Sequence, residues 1–330
     1  MNLTNTRKLL AATLCLATSY GYADSDRPLF SLTVSESGAP QMNSDGSLSR
    51  TTKSESRILP IWGDAARAKG YDLPEPFGAS YGYMNLRQDV VVDSIKFEFT
   101  NPLVSKNWKD KIIVKAGDTR EKNESHLLKL DSWILPFLNI YGVYGTTKGK
   151  STTNLDNIAI FDDHEYGKNI PFDLNFKGKT FGGGITLAGG YNQFFATLDT
   201  NYTRTNLDIL DGDISALVIT PRIGYEFIFE PLFAGQGNTK AQIWVGAMYQ
   251  DITQRFRGDV SNLNLPPQLE TGMALIKNMT DIKFDVKQHL AHKWNNTVGA
   301  RFEITRNFNI LSEVGFGNRN SFFISGEFRF

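Results

Sequence analysis

From Phe77 onward, apolar and polar residues alternate in short runs, with the two-residue period of a strand that has one greasy and one wet face. The stretch "SFFISGEFRF" is the plainest case. Phe322, Ile324, Phe328 and Phe330 share one parity, Gly326 completes the series, and Glu327 and Arg329 lie on the other. "WNNTVGARFEI" sets Trp294, Val298, Ala300, Phe302 and Ile304 against Asn295, Thr297, Arg301 and Glu303. "FNILSEVGF" turns Phe308, Ile310, Val314 and Phe316 outward. Leu217, Ile219, Ile223, Tyr225 and Phe227 oppose Thr220, Arg222 and Glu226, and Ala196, Leu198 and Tyr202 oppose Asp199, Asn201 and Thr203. The pattern predicts strands near 77–90, 124–134, 137–147, 179–191, 194–206, 214–228, 240–251, 294–304, 308–316 and 321–330. "SIKFEF" and "KIIVKAG" either lengthen two of these or add a pair.

Each segment is close to the ~9–11 residues with which a tilted strand crosses a bilayer. Short turns at Leu135-Pro136, Asn192-Gln193 and Arg306-Asn307 alternate with long polar stretches, residues 147–178 and 253–293, read here as loops. Short turns on one side and long loops on the other are the outer-membrane pattern. Aromatic residues gather near strand ends, in "DSWILPF", "YGVYG" and "FRF", where rings can sit at the water–lipid boundary. A sandwich would hide them mid-strand against a second sheet. In hydrocarbon an open sheet edge leaves N–H and C=O groups unpaired, so the sheet must close. The expected fold is all-β: a closed antiparallel transmembrane up-and-down β-barrel of about ten strands, within a range of about 8–12.

Composition narrows the class further. Hydrophobic residues make up 41% and charged residues 21%, which excludes a helical membrane protein and a disordered chain. Arg7 and Lys8 precede the uncharged "LLAATLCLATSYGYA", and Gly21-Tyr22-Ala23 supplies small residues at a cleavage site. Residues 1–23 are therefore expected to be a signal peptide, cut after Ala23. Cys15 is the single cysteine and lies inside it, so the mature chain is expected to form neither disulfide nor thiolate metal site. No other run approaches the ~18 apolar residues of a membrane helix. Removing Arg7 and Lys8 from the 35 basic residues leaves 33, against 35 acidic ones, and this balance gives no footprint for nucleic acid.

Residues 24–57, rich in Ser, Thr, Asp and Gly, read as a flexible leader, with "LFSLTV" as one candidate short strand. Within 58–76, Asp64 can cap a helix of Ala65 to Lys69 that Gly70 closes. Trp62 and Tyr71 would pin it at the mouth or inside the barrel, as an edge helix or as a plug. Residues 77–330 form the barrel.

On these residues the chain resembles the Gram-negative outer-membrane β-barrel proteins, whose final strand ends in Phe after apolar residues at alternate positions. Phe322, Ile324, Phe328 and Phe330 fit that pattern, and Gly326 departs from it. The resemblance implies export to the outer membrane, contact with its lipid and lipopolysaccharide, and reading of the last strand by the barrel-assembly machinery. A monomer is expected.

A barrel of this size is largely filled by side chains. The inward parity offers Asp199, Asn201, Arg222, Glu226, Arg301, Glu303 and Glu327 as lumen-lining residues. Opposite charges there either hold the barrel together or line a narrow conduit for small solutes. The leading reading is a structural or surface-interaction barrel; a channel gated by residues 58–76 is the alternative. A hydrolase is the third. Asp162 and Asp163 with His164, and Asp211 with Asp213, are similar to the Asp–His unit and Asp pair of the omptin proteases, though in reversed order and on neighbouring loops. A His held by a carboxylate is a reasonable base. Ser125 and His126 are adjacent on opposite parities, which works against a lipase pair. His289 and His292 lack a third ligand at metal spacing and read as exposed loop histidines. No metal and no cofactor is expected.

Overall fold

A computed structural model describes residues 58–68, 73–103, 105, 112–160, 165–167, 170–191, 193–208, 212–229, 239–263, 265, 267, 270, 280–305 and 307–330. The candidate signal peptide, the 24–57 leader with "LFSLTV", Lys69 to Tyr71, Asp162, Asp163, His164 and Asp211 lie outside them. A short helix α1 (Gly63–Ala68) precedes the strands β1 (Phe77–Phe99), β2 (Ile112–Leu135), β3 (Leu138–Ile160), β4 (Glu165–Gly167) and β5 (Ile170–Tyr191). β6 (Phe194–Leu207), β7 (Asp213–Phe229), β8 (Thr239–Asp259), β9 (Ile282–Leu290), β10 (Trp294–Thr305), β11 (Phe308–Phe316) and β12 (Arg319–Arg329) follow.

The strands pair antiparallel in the order β10-β11-β12-β1-β2-β3-β5-β6-β7-β8, and β8 pairs β10 to close the ring. It is a closed ten-stranded barrel. Outward side chains in its lower part are apolar and exposed: Ile140, Tyr144, Ile185, Leu198, Ile223, Val245, Val298, Ile310 and Ile324 among them. This is the fold and the outer face of a transmembrane barrel. The β2–β3, β5–β6 and β10–β11 strand pairs meet at the end termed here the base, beside both Phe77 and Phe330; the opposite end is the crown.

Five strands run far beyond the expected lengths. β1, β2, β3, β5 and β8 have 23, 24, 23, 22 and 21 residues. At about 3.3 Å per residue and a tilt near 40°, a strand of this length rises roughly 55 Å, about twice the ~25 Å apolar band of a membrane barrel. "SIKFEF" and "KIIVKAG" therefore lengthen β1 and β2. The stretches 147–178 and 253–293, expected as loops, are corrected: most of the first belongs to β3 and β5, and the second contains the end of β8 and all of β9. The reason is an inversion of faces. Along β3, Ile140 and Tyr144 point outward below, and Lys148 and Lys150 point outward above. The inward series passes from Asn139 and Thr147 to Leu155. Parity is kept while the chemistry changes sides.

β9 and β10 act as one long strand with a break at 291–293. Below the break β10 pairs β11; above it β9 pairs β1 directly, from Val90↔Leu290 to Phe99↔Ile282. The β11–β12 hairpin thus fills only the lower part. Its turn at Gly317 has φ +103°, a left-handed conformation that suits glycine. Above that turn the ring is β1-β2-β3-β5-β6-β7-β8-β9, eight strands. The narrowed crown is packed with Val90, Phe99, Leu155, Leu174, Phe176, Ile252, Phe256, Phe284 and Leu290, all buried. Each such side chain contributes about 1.5–3 kcal/mol by leaving water. Asp64 sits in the first turn of α1.

Candidate functional site

The lower lumen holds a cavity of about 330 Å³, lined by charged, aromatic and amide side chains. Of the sequence-predicted residues, Asp199, Asn201, Arg222, Arg301 and Glu327 line it. Glu226 and Glu303 are buried nearer the base and do not; Gln242 donates to Glu226 at 2.7 Å.

Two networks cross this space. In the first, Arg222 donates to both oxygens of Glu313, Nε to Oε2 at 2.6 Å and Nη2 to Oε1 at 3.0 Å. Trp244 Nε1 donates to the same carboxylate at 2.7 Å. Nearby, Asp199 accepts from Tyr141 Oη at 2.9 Å, Thr186 Oγ1 at 2.7 Å and Asn201 Nδ2 at 3.1 Å, and Lys129 Nζ lies 4.5 Å from the centre of the Tyr141 ring. Gly184 makes room here, because a Cβ on it would stand 2.6 Å from Tyr141 Oη.

The second network lies at the base. Arg329, 1% exposed, bonds Asp131 at 2.9 Å, contacts Glu327, and donates to the backbone carbonyl of Glu75 at 3.0 and 3.1 Å. Arg301 bonds Glu327 at 3.0 Å, and Asn139 donates to Asp131 at 2.6 Å. The segment before β1 is therefore fastened to the barrel. Ile61 N donates to Ile134 O at 2.8 Å, and Ala66 and Leu73 pack with the buried Trp133 and Ala188.

Higher up, a hydroxyl relay links four strands: Ser125 to Thr147 at 2.9 Å, Thr147 to Thr180 at 2.7 Å and Thr180 to Thr205 at 2.8 Å. Inside the crown Glu121 is fully buried and accepts from Gln88 at 3.1 Å, Asn123 at 3.1 Å and Gln254 at 2.9 Å. On the outer face of the crown the Lys150 ammonium, 2.7 Å from Asp173, holds that carboxyl below its usual range.

Glu313, Asp131, Arg329, Tyr141 and Trp244 were missed by sequence reasoning, although all lie on inward parities of foreseen strands. Charge on the inward parity is the signal that could have found Glu313 and Arg329. The hydrolase candidates fare differently. Asp213 is paired with Arg204 at 3.4 Å on the outer face, and its four supposed partners lie outside the described residues. Ser125 faces inward to Thr147, whereas His126 faces outward and shares a 2.8 Å hydrogen bond with Tyr81. His289 is no loop residue: it sits on β9, with Nδ1 2.7 Å from Asp93. His292 lies exposed in the break that follows.

No family model matches the sequence, and no curated protein does. Among solved structures the chain is similar to the transport unit of the autotransporter AIDA-I from Escherichia coli, at 13% identity and a TM-score of 0.34, covering 77% of this chain and 90% of that one. It is also similar to the Ralstonia pickettii toluene transporter TbuX, at 11% identity and a TM-score of 0.26, over 78% and 90%. A mutant of the monoaromatic hydrocarbon channel TodX matches at 9% and a TM-score of 0.27, over 78% and 91%. Likenesses this distant carry no substrate or role to this chain.

Proposed function

We propose that the chain is an integral outer-membrane barrel with an occluded lumen, acting at the cell surface through its raised crown. The inversion of faces along single strands carries this reading. Below, lipid-compatible side chains face out; above, a dry core fills an eight-stranded ring whose outer surface is polar. The short-turn base then faces the periplasm after export, and the crown stands in water outside. The apolar series Phe322, Ile324, Phe328 and Phe330 is exposed on and just after β12, open to the assembly machinery. Planar-bilayer recording of the refolded full chain tests the reading. A stable closed baseline is expected, and sustained unitary conductance overturns it.

A second reading, a small-solute conduit gated by residues 58–76, is favoured by one observation: the polar cavity lies behind a segment that Arg329 clamps through the Glu75 carbonyl. Under this reading Arg329→Gln releases the segment and conductance steps appear that the parent lacks. A silent variant retires the conduit.

A further inference from the structure

We propose that the outer face of β2, β3, β5 and β6, just above the lipid belt, binds a membrane lipid that carries two or more phosphates on one headgroup. Cross-strand register supplies the first argument. Lys122 lies directly opposite Lys150, and Lys148 directly opposite Lys177. Like charges facing each other across a sheet are destabilising unless an anion lies between them. Lys179 and Arg204 extend the patch on the belt side, and all six side chains are exposed.

Charge matching supplies the second argument. Several cations elsewhere on the outer face meet acids: Arg255 and Arg257 reach Asp285 at 2.6 and 3.2 Å, Lys293 reaches Asp251 at 3.0 Å, and Arg120 reaches Asp89 at 3.2 Å; within the patch Arg204 meets Asp213 at 3.4 Å. In the patch Glu124 and Asp173 take up Lys148 and Lys150 only in part, since each carboxylate serves one lysine of an opposed pair. Lys122, Lys177 and Lys179 have no acidic partner among the described residues.

Height supplies the third. Tyr144, Phe181 and Tyr202 end the apolar belt on these strands, 57%, 43% and 54% exposed. Lys179 and Arg204 follow two residues beyond Phe181 and Tyr202, and Lys148 and Lys177 four residues beyond Tyr144 and Phe181. At about 3.3 Å per residue on a tilted strand, the cations stand roughly 5–10 Å above the rings, where headgroup phosphates lie. The patch is continuous with the belt, so its occupant is a lipid whose acyl chains run down the same face. Lysine ammoniums act on phosphate as point charges.

Native mass spectrometry of the full chain in dodecyl maltoside tests this with bisphosphorylated lipid A, the anchor of lipopolysaccharide, as probe. Phosphatidylglycerol supplies a one-phosphate lipid, and inorganic phosphate a free anion. Lipid A is expected to bind at least about tenfold more tightly than phosphatidylglycerol, with no displacement by millimolar phosphate. The triple variant Lys148→Gln, Lys177→Gln, Lys179→Gln is expected to lose at least about tenfold of that affinity. Lys283→Gln with Lys287→Gln, on β9, leaves it unchanged. Folding of each variant is checked by heat-modifiable gel mobility. Equal binding of the two lipids, displacement by free phosphate, or an unaffected triple variant each overturns the proposal. The inference rests on the outer-membrane reading. Failure of the folded chain to insert into vesicles sinks both, whereas insertion with unchanged lipid A binding in the triple variant sinks only this one.

Discussion

Arg222 on β7 and Glu313 on β11 meet across the lumen, although β8 and β10 separate their strands in the ring. The contact is bidentate and shielded, with the Glu313 side chain 6% exposed. Removing one charge strands the other in a poorly solvated place. Glu313→Gln is expected to cost about 3 kcal/mol, read as a lower urea midpoint in micelles. The double variant Arg222→Met, Glu313→Leu is expected to recover most of that loss. An unchanged midpoint for the single variant would mean that water already solvates the guanidinium.

Phe256, fully buried in the crown, packs against Phe176 with ring centres 5.4 Å apart and the planes tilted by 41°. Phe256→Ala is expected to cost about 3–5 kcal/mol and to expose crown strands to protease. Wild-type resistance would count against a dry crown.

Val298 lies mid-way down the outward series of β10, between Trp294 and Phe302. Val298→Arg is expected to cost about 2–4 kcal/mol in a bilayer, as an arginine at mid-membrane does. Thr253→Arg, outward on the crown, is expected to stay within about 0.5 kcal/mol. Equal effects would erase the distinction between the two storeys.

Gly299 lies under the Trp244 indole, with Nε1 2.6 Å from where a Cβ would stand. Gly299→Ala is expected to displace the ring, weaken its bond to Glu313 and cost about 1–3 kcal/mol. Near-ultraviolet circular dichroism reads the ring; an unaltered aromatic signal would contradict this packing.

Legibility in the sequence followed the solvent. Phe308, Ile310, Val314 and Phe316 revealed β11 because lipid outside and polar lumen inside impose a strict alternation. That rule reverses above the membrane. Lys148, Lys150 and Asp173 then mark the outer face of a strand rather than a loop, so β3 and β5 were cut short. β9 was missed because "IKFDVKQHL" buries Phe284 and Asp285 side by side, which blurs the period. The lumen was half legible. Parity nominated Arg222 and Glu327, but parity alone cannot say that Glu313, 91 residues further on, closes on Arg222. Closure of the ring decides such pairs.

The seam between the first and last strands also dictates an order of events. Phe77 N donates to Phe330 O, and Phe330 N to Phe77 O, at 3.1 and 2.9 Å. β1 meets β12 only when every intervening strand has already been delivered, so the hoop cannot be fastened progressively. Until that moment the nascent sheet presents two raw borders, each a row of unpaired N–H and C=O groups.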